Sequence, residues 1–283
     1  MRINETTIKD FILLGLTDVR KLQLLFFILL LCYLLTITGN FMIIILAHVD
    51  HRLHTPMYFF LWNFSITEIG YTTVITPQTL SHLLMGNKNI SYVGCILQSF
   101  LYFYLGTTEV FFFVDMSFDR YLAICNPLRY PSIMHKRLCT LLVFCCWIRS
   151  FFIHVGPFSV FLQFPMCNSN ILNHFFCDSA PLLHLLCGDT SFLEFVISLL
   201  ALVLFGTLFI SMNIPTATGR RKAFSTCASH FMVVSIAYGS SLFLYVNPTQ
   251  TNKMEFSKKL ALINTIVPPL LTPFIFILRN QQV

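Results

Sequence analysis

The sequence predicts an all-α membrane protein: one bundle of seven transmembrane helices with its amino terminus outside the cell. Three observations point that way. Only 11% of the 283 residues are charged while 56% are hydrophobic, against about 25% charged in a soluble domain. Seven apolar stretches reach the length of about 20 residues that a helix needs to cross the hydrocarbon core. No internal repeat or low-complexity linker divides the chain, so residues 1–283 read as a single domain.

A mixed-charge head, residues 1–21, comes first. The expected spans are then Leu22–Ala47, Pro56–Leu84, Gly94–Ile124, Leu138–Phe161, Phe192–Met212, Ala223–Val246 and Leu260–Leu278, with a long outer loop at 162–191. No cleavable signal peptide is visible, since the first apolar run is already long enough to span the bilayer. The net charge of +6 is spread over short segments, and no basic face suggests nucleic acid. Lys and Arg divide nine to eight between the two sides, so the positive-inside count does not orient the chain. The outside amino terminus rests on two weaker features. Asn4-Glu5-Thr6 is a glycosylation sequon, a pattern that also arises by chance, and the 162–191 loop holds three cysteines and no Lys or Arg.

Polar residues inside the spans carry the next layer of information. Asn40 in the first span needs a partner, because an unpaired amide in lipid costs several kcal/mol, so it should face the bundle as structural glue. Pro56 suits the first turn of the second helix. Glu68 and Glu109 lie at membrane depth in the second and third spans, where carboxylates face the interior. They read either as an ion-binding centre or as a protonated, hydrogen-bonded pair. Asp119-Arg120 ends the third span, where charge marks the return to water. The carboxylate can hold the guanidinium until a competitor takes it, and Pro127 stops the helix. A charged helix end with no further role is the plainer alternative. Asp115 and Arg149 are two further intramembrane charges without an evident role.

Tyr102, Phe103, Gly106, Thr107 and Val110 recur at helical spacing along one side of the third span. Such a stripe is plain core more often than a pocket. Cys95, Cys167, Cys177 and Cys187 fall on the expected oxidising side, where four cysteines allow three connectivities. A metal site with His174 and His184 competes with disulfides, but its spacing is wrong for a zinc finger and its compartment favours oxidation. The remaining cysteines read as small buried hydrophobes.

Three long motifs narrow the reading. MSFDRYLAIC with PLRY at 116–130, LHTPMYFFL at 53–61 and KAFSTCASH at 222–230 together resemble the olfactory receptors, a branch of the rhodopsin-like G-protein-coupled receptors. The resemblance covers nearly the whole chain. It implies a receptor at the plasma membrane that binds a small volatile odorant in its outer half and couples to a stimulatory G protein that raises cAMP. Its other implied partners are membrane lipid and a trafficking chaperone. GCILQ at 94–98 and HFFCD at 174–178 match the family's bridged pair, implying Cys95–Cys177 and, by remainder, Cys167–Cys187. The resemblance assigns coupling and activation to Asp119, Arg120, Tyr121, Lys222, His230 and Pro273. It places the α-helical stripe in the odorant cavity, faced by Tyr238, Ser241 and Tyr245 of the sixth span and Leu262 and Thr265 of the seventh. Phe, Tyr and Val with a few hydroxyls suit small apolar ligands, and no acidic residue in this set would pair with an amine.

The chain departs from the family pattern at one end. Phe192–Met212 is 21 residues, about 31 Å at 1.5 Å per residue, and roughly eleven residues expected before Ile214-Pro215 are missing, about three turns. Thr272 and Phe276 stand where the family has Asn and Tyr, and Val283 leaves no room for the usual amphipathic helix. A second reading follows: a membrane-inserted but signalling-impaired relative. A transporter lacks the inverted repeat and broken helices it would need. No nucleophile–base pattern, cofactor motif or metal motif supports an enzyme.

Overall fold

The computed structural model describes residues 9–15, 22–86, 88–166, 170–212 and 251–279; the expected sixth span, Ala223–Val246, lies outside them. In chain order the elements are β1 (Asp10–Leu13), α1 (Leu22–Val49), α2 (Pro56–Met85), β2 (Asn89–Ser91), α3 (Tyr92–Cys125), α4 (Tyr130–Ile133), α5 (Lys136–Phe161), β3 (Ile171–Leu172), α6 (Ser179–Leu183), α7 (Ser191–Met212) and α8 (Thr251–Arg279). Six of the helices are long, and among the described residues three, within α1, α3 and α5, are long and apolar enough to cross a membrane by composition.

Local chemistry sets the helix ends. Thr55 is extended and Pro56 occupies the first turn of α2, where a missing N–H costs nothing. Gly86 closes that helix in the left-handed conformation, φ 67°, with its N–H on the His82 carbonyl. Ser91 caps α3 by accepting from the Gly94 N–H at 3.1 Å. Asn126 ends α3, and the following Pro127 forbids its continuation. The start of α8 differs most from expectation, at Thr251 rather than Leu260. Its first turns, Thr251–Lys259, are polar and helical, so hydropathy sees only the apolar remainder.

Close packing of α1 on α8 depends on Gly39. A Cβ there would stand 2.8 Å from the Pro273 Cβ and 2.9 Å from its Cγ, so only hydrogen fits at this crossing. Gly70 of α2 similarly admits Leu105 of α3 at 3.3 Å. Leu53, Tyr58, Phe60, Phe64, Phe112, Phe113, Met116 and Cys146 form the largest buried cluster, between α2, α3 and α5. The outward faces are apolar too: Phe27, Phe152 and Phe195 are 65%, 68% and 64% exposed. Such a surface suits lipid rather than water.

Opposite the Asp119–Arg120 end, three short strands form a cap in the order β2-β1-β3. Asp10 pairs antiparallel with Ser91, and Ile12 parallel with Ile171. Phe11 and Leu13 are wholly buried beneath this cap with Cys95, Leu172, Cys177 and Leu182. Cys95 and Cys177 are joined, Cα atoms 5.4 Å apart. Gln98 braces the same junction: its Oε1 accepts from the Cys177 N–H at 3.1 Å and its Nε2 donates to the Val74 carbonyl at 2.9 Å. Lys258, fully buried, donates from α8 to Asn173 Oδ1 at 2.6 Å. The amino-terminal strand, the 162–191 loop and α8 are thereby stitched together.

Candidate functional site

Beneath the disulfide-braced cap lies a cavity of about 160 Å³ between α3, α5, α6 and α7. All five residues of the α3 stripe, Tyr102, Phe103, Gly106, Thr107 and Val110, line it. Their spacing puts them on one helix face. Apolar walls come from Phe158 and Phe161 of α5, Leu182 and Leu183 of α6, and Leu193, Ile197, Leu200 and Leu204 of α7. Sequence periodicity on one helix finds only its own side of a cavity, so these facing residues were not singled out.

His154 was missed as well. Its Nδ1 lies 3.0 Å from the Ser150 carbonyl and its Nε2 lies 3.4 Å from Thr107 Oγ1. A carbonyl only accepts, so Nδ1 carries the proton and the Thr107 hydroxyl donates to Nε2 of a neutral ring. Ser99 and Ser179 also line the cavity. Neither Asp, Glu, Lys nor Arg is among the described lining residues.

Leu262 and Thr265 sit elsewhere than the expected lining. Leu262 packs on the cluster of Ile75, Phe175 and Phe176, and Thr265 is buried, its hydroxyl donating to the Ala261 carbonyl at 2.8 Å. Both stand behind Tyr102, whose ring stacks on Tyr71 at 4.9 Å and tilts against Phe176 at 4.9 Å. Tyr102 packs on that same cluster and also lines the cavity. Tyr238, Ser241, Tyr245, Lys222, His230 and Asn4 lie outside the described residues, as does Cys167; Cys187 is disulfide-bonded.

A polar centre lies further along the bundle. Asn40 is fully buried and donates to the Thr36 carbonyl at 3.1 Å. Thr272 donates to Glu68 Oε1 at 2.6 Å, and Glu68 interacts electrostatically with Glu109. Thr272, where the family pattern has Asn, thus supplies a polar link from α8 to α2. Asp115 accepts from Cys146 Sγ at 3.0 Å and feels the Arg149 charge. Arg149 lies 4.6 Å above the Phe111 ring, which favours a cation over its face. These contacts account for both unexplained intramembrane charges.

At the far end, Asp119 is 1% exposed and stands 3.8 Å from Arg120 Nε, while Arg120 remains 34% exposed. Tyr130 of α4 donates its hydroxyl to Asp119 Oδ1 at 2.7 Å. Burial and the neighbouring carboxylate both push the Tyr130 phenol up. Tyr121 packs on the large buried cluster and Pro273 on Gly39. The carboxylate thus has two claimants, one neutral and buried, one charged and reachable from outside.

These features define a polytopic helical membrane protein with a small, uncharged, mostly apolar cavity under a covalently braced cap. The family model described as "Olfactory receptor" matches residues 29–283. Olfactory receptor 6E1 of Mus musculus is 51% identical over 294 aligned positions, covering 99% of this chain and 94% of the relative. Olfactory receptors 6C3 and 2AP1 of Homo sapiens are each 47% identical, covering 99% of this chain and 94% and 95% of the relatives. The chain belongs to the olfactory receptor family. It is accordingly a seven-helix membrane receptor of the G-protein-coupled class and not an enzyme.

Proposed function

We propose that this chain is a working odorant receptor of the plasma membrane. A small volatile molecule enters the cavity from the capped, outward side, and a stimulatory G protein binds around Arg120 and raises cAMP. The observation that carries this reading is the cavity itself. It is of ligand size, apolar on most sides, and lined by the whole α3 stripe beneath the Cys95–Cys177 bridge. Family membership supports an odorant as the ligand and a G protein as the partner. In this reading the residues 1–21 head and the 162–191 loop are outside, Asn4 carries a glycan, and Cys167 pairs with Cys187.

At the inner end, Asp119 holds the inactive state by engaging Arg120, and ligand favours release only through higher affinity for the released state. Pro273, Tyr121, Lys222 and His230 surround that opening in the same assignment. The signalling-impaired alternative has one observation in its favour. The alignment with receptor 6E1 spans 294 positions and the chain has 283 residues, so at least eleven aligned positions have no residue here. That matches in size the shortfall expected after Met212.

The test is cAMP accumulation in cells expressing the chain with a stimulatory G protein and a trafficking chaperone, across an odorant panel, with surface protein measured in parallel. A dose-dependent response that Arg120→Ala abolishes is expected. Silence at full surface expression would overturn coupling and favour the impaired reading.

A further inference from the structure

Resting on the reading of the cavity as an odorant site, we propose that Ser99 and Ser179 form its head-group subsite. The ligand class they select is a small neutral carbonyl compound, an aldehyde, ketone or ester, whose oxygen accepts from both hydroxyls. Both serines line the cavity, Ser99 wholly buried and Ser179 9% exposed. Neither hydroxyl has a hydrogen-bond partner among the described residues. That is unusual in this molecule. Hydroxyls on its helices generally donate to the carbonyl one turn back, as Thr67, Thr79, Thr108 and Ser150 do at 2.8–3.1 Å. Leaving a buried donor unmade is destabilising, and here two such donors line one space.

Covalent structure holds the pair in place. Ser99 lies one turn after Cys95 on α3, and Ser179 two residues after Cys177, so the disulfide ties the two backbones together. The Gln98–Cys177 hydrogen bond at 3.1 Å adds a second tie between the same segments. Two O–H donors match the two lone pairs of one carbonyl oxygen, whereas an alcohol brings a further donor of its own. A charged head would be buried without a counter-charge, at heavy cost.

The other polar pair, Thr107 and His154, is already satisfied, by each other and by the Ser150 carbonyl. It lies two turns deeper on α3, about 12 Å along the axis. The ligand's oxygen therefore sits at the capped end and its hydrocarbon tail points inward, toward Val110 and Leu204. A volume of about 160 Å³ is close to the ~150 Å³ of a cavity known to hold benzene, which limits the ligand to roughly nine heavy atoms or fewer.

The experiment uses the full-length chain purified into lipid nanodiscs. Heptanal and 2-heptanone are compared with heptane, 1-heptanol and heptylamine by ligand-induced thermal stabilisation. The carbonyl compounds should stabilise most strongly. Ser99→Ala and Ser179→Ala should each weaken that binding roughly fivefold and the double variant on the order of twentyfold. The ligand-free melting temperature should stay level or rise, because an unsatisfied buried hydroxyl has been removed. A merely structural serine would lower it. Ser65, whose buried hydroxyl is also unpartnered but lines no part of this cavity, supplies the control: Ser65→Ala should leave carbonyl binding unchanged. Equal carbonyl binding in the double variant, or heptane, heptanol or heptylamine binding as tightly, overturns the subsite and leaves odorant binding standing. Stabilisation by no compound of any class overturns both readings.

Discussion

Replacing Gly39 tests the α1–α8 crossing, on which the position of Pro273 depends. An alanine Cβ would meet the rigid Pro273 ring at 2.8 and 2.9 Å, whereas unstrained carbon contacts sit at about 3.5–4.0 Å. The helices must part by something under an ångström, and overpacking of this kind costs about 1–3 kcal/mol. Against it stands a helix-propensity gain of up to about 1 kcal/mol for Gly→Ala, leaving a net loss of about 1 kcal/mol. Gly39→Val adds two more methyl groups and gains less propensity, so about 2–3 kcal/mol is expected. At ~2–4 °C per kcal/mol, the alanine variant should melt a few degrees lower and the valine variant about 4–12 °C lower. Gly156 on α5 is the internal control, because a Cβ there meets nothing within 4 Å; Gly156→Ala should hold or raise the melting temperature. A thiol-reactive fluorophore that reports exposure of the buried Cys139 and Cys146 gives the readout. Gly39→Val melting at or above the wild type would refute the close approach of α1 and Pro273.

Two further outcomes follow from the ends of the bundle. Tyr130→Phe removes the 2.7 Å donor to Asp119, a hydrogen bond to a charged group of about 1.5–3 kcal/mol, and leaves the carboxylate to Arg120 alone, so Arg120 should be held more tightly. Basal cAMP should fall at matched surface expression, and a raised or unchanged baseline would sink the competition of Tyr130 with Arg120 for Asp119. In the cap, burial holds the His174 imidazole below its ordinary value, with Lys258 acting the same way and Asp178 and the Phe176 backbone opposing. The folded ring is therefore neutral and the unfolded one takes up a proton below about pH 6.5. Stability should be level above that pH and decline as the pH falls below it, with His174→Phe removing the decline; an equal decline in the variant would assign it to other groups.

Legibility in the sequence followed the range of the interactions involved. Helix bounds were readable because hydropathy is local: α1, α2, α3, α5 and α7 begin and end within about two residues of the apolar runs. Thr251–Lys259 escaped because a polar helix has no hydropathy signal. The cap was invisible for a different reason. Its three strands are two to four residues each, drawn from positions near 10, 90 and 171, and pairing across such distances leaves no local pattern. The Cys95–Cys177 pairing was legible only through the resemblance, since four cysteines fit three connectivities equally well. Within the cavity, one face was readable from α3. Leu262 and Thr265 were assigned by analogy of position, and neither is among the described lining residues.

The polar residues inside this bundle sort into those that fasten helices together and those that do not. Lipid tails are as apolar as leucine side chains, so helix association draws on close packing and interhelical hydrogen bonds rather than on exclusion from water. Thr272 to Glu68 joins α8 to α2, Cys146 to Asp115 joins α5 to α3, and Thr107 to His154 joins α3 to α5 again. Each fixes a pair of helices at a different depth. Ser99 and Ser179, unpartnered among the described residues, break that pattern beside the Cys95–Cys177 bridge, where the bundle is already fastened covalently. Where the Cys95–Cys177 bridge and Gln98 hold the backbones, hydroxyls are not needed as fasteners, so leaving them unpaired costs stability without loosening the fold. Polar groups left free in a rigid frame are those a small molecule can use, which ties the selectivity of the cavity to the bridge above it.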